Sequence, residues 1–183
     1  MTEIASRAQL RMSYLRHALV TVPLLLMLGT LSAVLAGSGY GNRWFAALAK
    51  PWFMPPAWAF PLAWTMLYIL LGFALALILH ARGARGRPLA LGLFAAQIIL
   101  NYAWSPIFFA WHKVGLGLAV VAAMFLLAAI AACLFFRIRK AAGLLMLPYL
   151  VWLLLAAALN QQIGGLNPGA EVAPAGPGTD IPL

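Results

Sequence analysis

Polar side chains inside one apolar run of this chain are spaced so that they could bind a ligand. Gln97, Asn101 and Ser105 stand four residues apart, and Trp104 and Phe108 flank the same helical face. An unpaired amide in hydrocarbon costs free energy, so this face is expected to point into a helix bundle. Two interpretations remain open: hydrogen bonding between helices, or the polar lining of a ligand cavity.

Two further apolar runs carry aromatic and polar residues at helical spacing. One holds Phe60, Trp64 and Tyr68, and the other holds Tyr149, Trp152, Ala156 and Asn160. Together the three faces could line an apolar cavity with a few convergent polar groups, which is the usual form of a small-molecule site. A flat aromatic ligand would stack well on these rings.

The charged residues argue against several kinds of chemistry. All three acids of the chain lie near its termini, so no carboxylate sits inside an apolar run. Ion-coupled transporters usually rely on ionisable groups within the membrane. The absence of carboxylates there argues against such transport, against carboxylate-based hydrolysis and against an Asp/Glu metal site. Arg43 and Lys50, in the loop before Phe60, could instead pair with acidic groups of a ligand.

The histidines and the common catalytic motifs indicate no further site. His17, His80 and His112 do not cluster, and each falls near the end of a predicted helix, which is typical of an interfacial residue. No glycine-rich phosphate loop, HExxH or GxSxG motif is present in the sequence. We therefore predict no metal site and no required cofactor.

The composition is that of a polytopic membrane protein. The chain is 65% hydrophobic and 8% charged, with a mean hydropathy of +0.96, whereas a soluble domain is about a quarter charged. A net charge of +9 would suggest nucleic acid in a soluble protein, but here the basic residues form short clusters between apolar runs. The lipid bilayer is therefore an expected partner, and nucleic acid is not.

The elements that must position these faces are membrane-spanning helices. Five apolar runs approach the length that crosses a bilayer: residues 15–36, 57–80, 89–111, 114–136 and 141–164. Helical spacing around Trp44 and Phe45 predicts a short interfacial helix in the first loop. The predicted fold is an all-α membrane protein, a five-transmembrane-helix bundle. It has a basic segment over 1–14, the five-helix domain over 15–165 and a disordered Gly/Pro-rich tail over 166–183.

The basic residues also predict an orientation. Nine Lys and Arg lie on one side of the five spans and three lie on the other. The positive-inside rule therefore places the N-terminus in the cytoplasm and the first loop and C-terminus outside. Gly92 and Ala96 form a small-xxx-small pair on the third span, which would allow close approach of helices in a homodimer.

Three motifs of the chain resemble those of a known family. Residues 44–68 read W-F-x-x-L-x-K-P-x-F-x-P-P-x-W-x-F-P-x-x-W-T-x-L-Y. Residues 96–109 read A-Q-x-x-L-N-Y-x-W-S-P-x-F-F, and residues 143–152 read G-x-L-x-x-P-Y-L-V-W. In this order they are similar to the signatures of the TspO/MBR family. These are the tryptophan-rich sensory proteins, which include the mitochondrial translocator protein or peripheral benzodiazepine receptor.

The resemblance implies a function as well as a fold. It implies a five-helix bundle, usually dimeric, that binds porphyrins such as protoporphyrin IX and, in some members, cholesterol and synthetic isoquinoline or benzodiazepine-type ligands. A receptor or sensor of this kind would influence tetrapyrrole transport or turnover. By motif position the cavity would be lined by Phe45, Trp64, Asn101, Trp104, Tyr149 and Trp152. The shared faces and the loop add Tyr68, Gln97, Arg43 and Lys50 as ligand-binding candidates.

Two alternative functions and two departures accompany the resemblance. Some bacterial members are reported to degrade porphyrin in light, and on that pattern Trp64 and Trp152 would be the catalytic candidates. The other alternative is passive transport of amphiphilic small molecules. Phe45 stands where many members have tyrosine, so a phenolic hydroxyl is missing at the cavity mouth. No Lys or Arg follows Tyr149 over residues 150–183, so the family's sterol motif is incomplete.

Overall fold

The computed structural model describes residues 7–171, with side chains from Met12 onward. Its helices are α1 (Arg7–Leu35), α2 (Arg43–Ala47), α3 (Ala59–His80), α4 (Arg87–Ser105), α5 (Val114–Ile138) and α6 (Lys140–Leu166), and a π-helical turn, Pro106–Ala110, continues α4. Within this described part, five helices are long and apolar enough to cross a membrane. These are α1, α3, α4 with its π turn, α5 and α6. The predicted five-helix architecture is therefore confirmed.

Prolines set the start of α3. The helix begins at Ala59, two residues later than the run predicts, because residues 57–58 form a turn. The Ala59 N–H donates to the Pro56 carbonyl at 2.9 Å and closes that turn. Pro61 falls in the first helical turn, where the N–H that it lacks would have no intrahelical acceptor.

The connections between α3 and α4 and between α5 and α6, at the end of the bundle away from the first loop, are short. Arg87 reaches back to the end of α3, where its Nε donates to the Ile78 carbonyl at 2.9 Å and its Nη2 to the Leu79 carbonyl at 3.0 Å. These carbonyls belong to the last turn of the helix, where intrahelical N–H donors run out, and the Ile78 carbonyl also accepts from the Ala81 N–H at 3.2 Å. A single extended residue, Arg139, joins α5 to α6.

The helices pack in a closed arrangement, with one buried cluster at their centre and a smaller one beneath the first loop. Helix α1 packs on α3, α3 on α6, α6 on α5 and α5 on α4. Besides Tyr149 and Gln97, the largest fully buried side chains are Leu71, Ile78, Phe94, Phe108, Val121, Met124, Phe135, Met146 and Leu153. Many large apolar side chains of the same helices face outward, as expected of helices that contact lipid.

Glycines allow α1 to approach α3 closely. A Cβ at Gly72 would lie 2.7 Å from the Val22 Cα, so only glycine fits at this crossing. The same approach lets the Thr21 hydroxyl donate to the Gly72 carbonyl at 2.8 Å. Gly29, further along α1, leaves the space into which the ring of Tyr68 projects.

The C-terminal end of the described residues lies against the first loop. Helix α2 is the short helix predicted in that loop, and its Phe45 is only 3% exposed because it points into the bundle. The loop leaves α1 through Gly37 and Gly39, both with positive φ. Of the tail predicted as disordered, the structure describes residues up to Glu171, and Asn167 and Ala170 contact this loop. The rest of that tail and residues 1–6 lie outside the described part.

Changing Gly72 to alanine should destabilise the protein by about 1–3 kcal/mol, because the added methyl group overlaps the backbone of α1. The matched control is Gly165→Ala in α6, where a Cβ meets no other atom within 4 Å. Unfolding by sodium dodecyl sulfate in mixed micelles measures both variants. Equal stability of the two variants would contradict the close α1–α3 crossing.

Candidate ligand cavity

The bundle encloses a cavity of about 710 Å³ beneath the first loop. All five spanning helices contribute to its wall, and residues 37–40, Phe45, Met54 and Ala57 form its roof. Thr30 and Val34 of α1 and Thr65 of α3 line the cavity and are also exposed on the outer surface. The cavity therefore also opens sideways between α1 and α3.

One end of the cavity is walled by stacked and perpendicular rings. Trp64 stacks on Tyr68 with ring centres 5.4 Å apart and planes at 27°. The ring of Trp152 stands edge-on to Trp64, with centres 6.1 Å apart and planes at 78°. Phe60 also stands edge-on to Trp152, with ring centres 5.9 Å apart and planes at 77°. These residues come from α3 and α6 and present ring faces and ring edges to the same space.

A second aromatic group closes the cavity beneath the loop. Trp104 stacks on Phe108 with ring centres 4.9 Å apart and planes at 14°. Phe45 of α2 meets Phe108 at 6.1 Å and Phe109 at 5.2 Å, both edge-on. The loop is thus held to the bundle by ring contacts as well as by hydrogen bonds.

The π turn explains why two successive phenylalanines both face inward. Pro106 has no N–H, so it cannot continue the hydrogen-bond ladder of α4. The Trp111 N–H then donates to the Pro106 carbonyl five residues back, at 2.9 Å. The wider turn brings both Phe108 and Phe109 into the interior, where they are 2% and 8% exposed. Such π turns are frequent at functional sites.

A chain of buried hydrogen bonds joins three helices beside the cavity. The Tyr68 hydroxyl donates to Asn101 Oδ1 at 2.7 Å, and Asn101 Nδ2 donates to the Tyr149 oxygen at 3.1 Å. The Tyr149 hydroxyl in turn donates to Gln97 Oε1 at 2.8 Å. Gln97 and Tyr149 are fully buried, and Asn101 is 4% exposed. This polar face therefore bonds helices together, and at Asn101 it also lines the cavity.

Nine of the ten ligand-binding candidates fall into three places. The cavity wall holds six of them: Phe45, Trp64, Tyr68, Asn101, Trp104 and Trp152. Gln97 and Tyr149 are bonded behind Asn101 and do not reach the cavity surface. Arg43 is exposed at the start of α2, outside the cavity. Ser105 and Asn160, which share faces with these candidates, also line the cavity.

Lys50 is bonded within the loop itself. Its ammonium donates to the carbonyls of Phe45, Ala46 and Leu48 at 2.8, 3.2 and 3.0 Å. These are carbonyls at the end of α2, where a cation is favourable. Burial lowers the pKa of Lys50. To pair with an acidic group of a ligand, as the sequence suggests it could, Lys50 would have to give up these bonds.

Sequence reasoning missed the wall formed by α1. Leu26, Gly29, Thr30, Ala33 and Val34 line the cavity although this helix carries no aromatic residue there. The available signal was the small and polar pair Gly29-Thr30, which interrupts the apolar stretch that begins at Leu24. Helix α5 also contributes, through Val121 and Met124.

Asn160 bonds the start of α5 to α6 beside the cavity. In the amide orientation that satisfies both partners, its nitrogen donates to the Val114 carbonyl and its oxygen accepts from the Leu118 N–H, each at 3.0 Å. A Cβ at Gly117 would lie 3.0 Å from this amide and 3.3 Å from the ring of Phe108. A glycine at this position thus lets α5 approach the aromatic group under the loop.

The fold and the cavity together define a multi-pass membrane protein with an internal aromatic cavity. The family model described as TspO/MBR family matches residues 19–166, and the chain belongs to that family.

Curated relatives agree with this assignment. The chain is 40% identical over 126 residues to a tryptophan-rich sensory protein of Cereibacter sphaeroides, covering 69% of this chain and 78% of that protein. It is 37% identical over 131 residues to Protein CrtK of Rhodobacter capsulatus, covering 71% and 82%. It is 33% identical over 133 residues to the translocator protein of Homo sapiens, covering 72% and 79%.

Replacing Tyr149 with phenylalanine should lower the free energy of unfolding by about 1–3 kcal/mol, because Gln97 and Asn101 each lose a buried partner. The matched control is Tyr40→Phe, which removes an exposed hydroxyl with a longer bond of 3.3 Å to the Pro55 carbonyl. Unfolding in mixed micelles again measures both. A Tyr149 variant as stable as the Tyr40 variant would show that the buried hydrogen bonds of Tyr149 contribute no net stability.

Proposed function

We propose that this protein is a membrane receptor or sensor that binds tetrapyrroles of the protoporphyrin IX type in the cavity and influences their transport or turnover. The observation that carries the proposal is the pair Trp64 and Trp152, which present perpendicular rings to a cavity of about 710 Å³. That volume lies in the range of roughly 300–1,000 Å³ typical of small-molecule sites. The tetrapyrrole is the ligand, and the proposal requires no cofactor.

Ring contacts would provide most of the binding energy. A flat macrocycle can stack on one indole of the pair while the other meets it edge-on. Asn101 uses one amide hydrogen for Tyr149, so its second can donate to the ligand. The wall therefore offers stacking surfaces and one oriented polar group, as expected of a site that recognises a largely apolar ring.

The acidic groups of a porphyrin would have to remain outside the wall. No charged side chain of the described residues lines the cavity. Burying an unpaired carboxylate there would be costly, so propionates would extend toward the loop or the side opening. Arg43 is exposed in that loop and is the better partner for them, because Lys50 is bonded to three carbonyls.

The double change Trp64→Ala with Trp152→Ala should weaken binding of protoporphyrin IX by about 10- to 100-fold, because two ring contacts are lost. The Soret band of the porphyrin reports binding without depending on protein tryptophan. Trp58→Ala is the matched control, since Trp58 is 67% exposed and lies outside the cavity wall. Equal affinity in the double variant and the control would reject the cavity as the site.

Light-dependent porphyrin degradation is a second candidate function, which the position of Trp64 and Trp152 inside the cavity favours. Illuminating substoichiometric protein with protoporphyrin IX tests it through loss of the Soret band over many turnovers. Turnover that disappears in the double variant would make the protein an enzyme. Porphyrin uptake into proteoliposomes, driven only by its gradient and without turnover, would instead favour passive transport.

We further propose that the N-terminus is cytoplasmic and that the first loop and the C-terminus lie outside. Cys133 is the single cysteine, so Cys133→Ser provides a background for labelling. In spheroplasts of an expressing bacterium, an impermeant maleimide should label Trp52→Cys, in the first loop, but not Arg85→Cys until the membrane is opened. The reverse pattern would invert the topology.

The proposed assembly is a homodimer in the bilayer. Gly92 and Ala96 of α4 are both exposed in the single chain, and their small side chains would permit close helix contact.

A further inference from the structure

The residue after α6 is bonded to the loop that covers the cavity. Asn167 Oδ1 accepts from the Ala49 N–H at 2.8 Å, and Asn167 Nδ2 donates to the Ala49 carbonyl at 2.9 Å. The same Nδ2 donates to the Ile163 carbonyl of α6 at 2.8 Å. One side chain thus satisfies both backbone groups of a loop residue while remaining tied to its own helix.

The residues that follow add two more attachments. A turn over Pro168 and Gly169, closed by the Ala170 N–H and the Asn167 carbonyl at 2.9 Å, directs the chain back toward α2. Trp44 Nε1 donates to the Ala170 carbonyl at 3.0 Å. Ala170 itself is only 6% exposed and packs in the cluster that contains Phe45.

The attachment extends to α5 as well. Glu171 Oε1 accepts from the Gly115 N–H at 2.7 Å, near the start of that helix. N–H groups in the first turn of a helix have no intrahelical acceptor, and a carboxylate there is favourable. Residues 167–171 therefore bridge α6, the loop and α5, and we call these five residues the latch.

The loop segment held in this way has the features of a movable cover. Residues 43–50, which we call the lid, contain only the five-residue helix α2. A helix of this length is not stable by itself. The lid is preceded by Gly37 and Gly39, whose positive φ values glycine adopts without strain. Besides the latch, ring contacts hold the lid: Phe45 and Trp44 each meet Phe108 edge-on, and Trp44 stacks on His112 with ring centres 4.3 Å apart. Just before the lid, Asn42 Nδ2 donates to the Phe109 carbonyl at 3.2 Å.

We propose that the latch controls opening of the lid, and so sets how fast a ligand enters and leaves the cavity beneath it. Asn167 acts here as a positioning residue, because it contacts the lid and not the cavity. Its two bonds to Ala49 and the bond from Trp44 to Ala170 must break before the lid can lift away from α6. The part of this inference that concerns ligand exchange rests on the proposed tetrapyrrole binding, whereas lid opening can be measured without any ligand.

Amide hydrogen exchange in the ligand-free protein tests the latch directly. The measured quantity is the exchange rate of the backbone amides of Phe45, Ala46 and Leu48. Their hydrogen-bond acceptors lie within the loop and are not altered by a change at Asn167. Asn167→Ala should speed their exchange about tenfold, as expected for the loss of two hydrogen bonds. Trp44→Phe, which retains an aromatic ring to stack on His112, should have a smaller effect in the same direction.

The control variant is Gln162→Ala, an exposed position on α6 one turn before the latch. It should leave lid exchange unchanged. Unchanged lid exchange in both Asn167→Ala and Trp44→Phe would overturn the proposal. So would a uniform rise across the lid and the core of α3, α4 and α6, because that result would assign residues 167–171 to global stability rather than to lid opening.

Stopped-flow mixing with protoporphyrin IX tests the effect on ligand exchange. Asn167→Ala should raise the association and dissociation rate constants together, about tenfold each, while Kd changes little. If Asn167→Ala speeds amide exchange in the lid but leaves the porphyrin rate constants unchanged, the proposal that the latch controls ligand exchange is wrong. Ligand entry through the opening between α1 and α3 would explain that result. If the wild-type protein shows no saturable porphyrin binding, the proposed function fails, and amide exchange still decides whether the latch holds the lid.

Discussion

The structure depends on the hydrogen-bond chain that runs from Tyr68 through Asn101 and Tyr149 to Gln97. Inside a bilayer no water is available to satisfy an amide or a hydroxyl, so these groups bond to one another within the bundle, and of their side-chain atoms Gln97 Nε2 alone is left without a partner. The chain therefore fixes α3, α4 and α6 relative to one another. Because these bonds set the spacing of the helices, an apolar space can remain beside Asn101 without the helices closing on it.

Helix α1 contributes no side chain to this series of hydrogen bonds, yet the series depends on the position of α1. Tyr68 can reach Asn101 because Gly29 leaves room for its ring, and α1 comes close to α3 because Gly72 leaves room for its backbone. The bond from Thr21 to the Gly72 carbonyl then fixes the crossing. Two glycines and a threonine at the crossing of α1 and α3 thus determine the position of the Tyr68 phenol, at which the buried hydrogen bonds begin.

Features that depend on helix geometry were predictable, and features that depend on loop conformation were not. Periodicity places Gln97 with Asn101, and Trp64 with Tyr68, because four residues make about one helical turn. The three bonds of Lys50 follow from the local path of the loop, which no pattern in the sequence specifies. The hydrogen bonds between Asn167 and Ala49 join residues 118 positions apart. The sequence Asn-Pro-Gly predicts a turn but does not indicate which distant residue Asn167 bonds to.

Because the described cavity wall is uncharged, recognition of an acidic ligand would involve the lid as well as the cavity. Because the described wall has no cation, a ligand with carboxylates can be held by its ring while its acids extend to the loop or to the opening between α1 and α3. Acids that reached the loop would meet exposed Arg43 at the start of α2 and Lys50, which bonds to the carbonyls at the end of that helix. The carbonyls that Lys50 now occupies are those of the lid itself. A carboxylate that drew Lys50 away would therefore weaken the end of α2, so that recognition of ligand charge and the closed state of the lid compete for the same ammonium group.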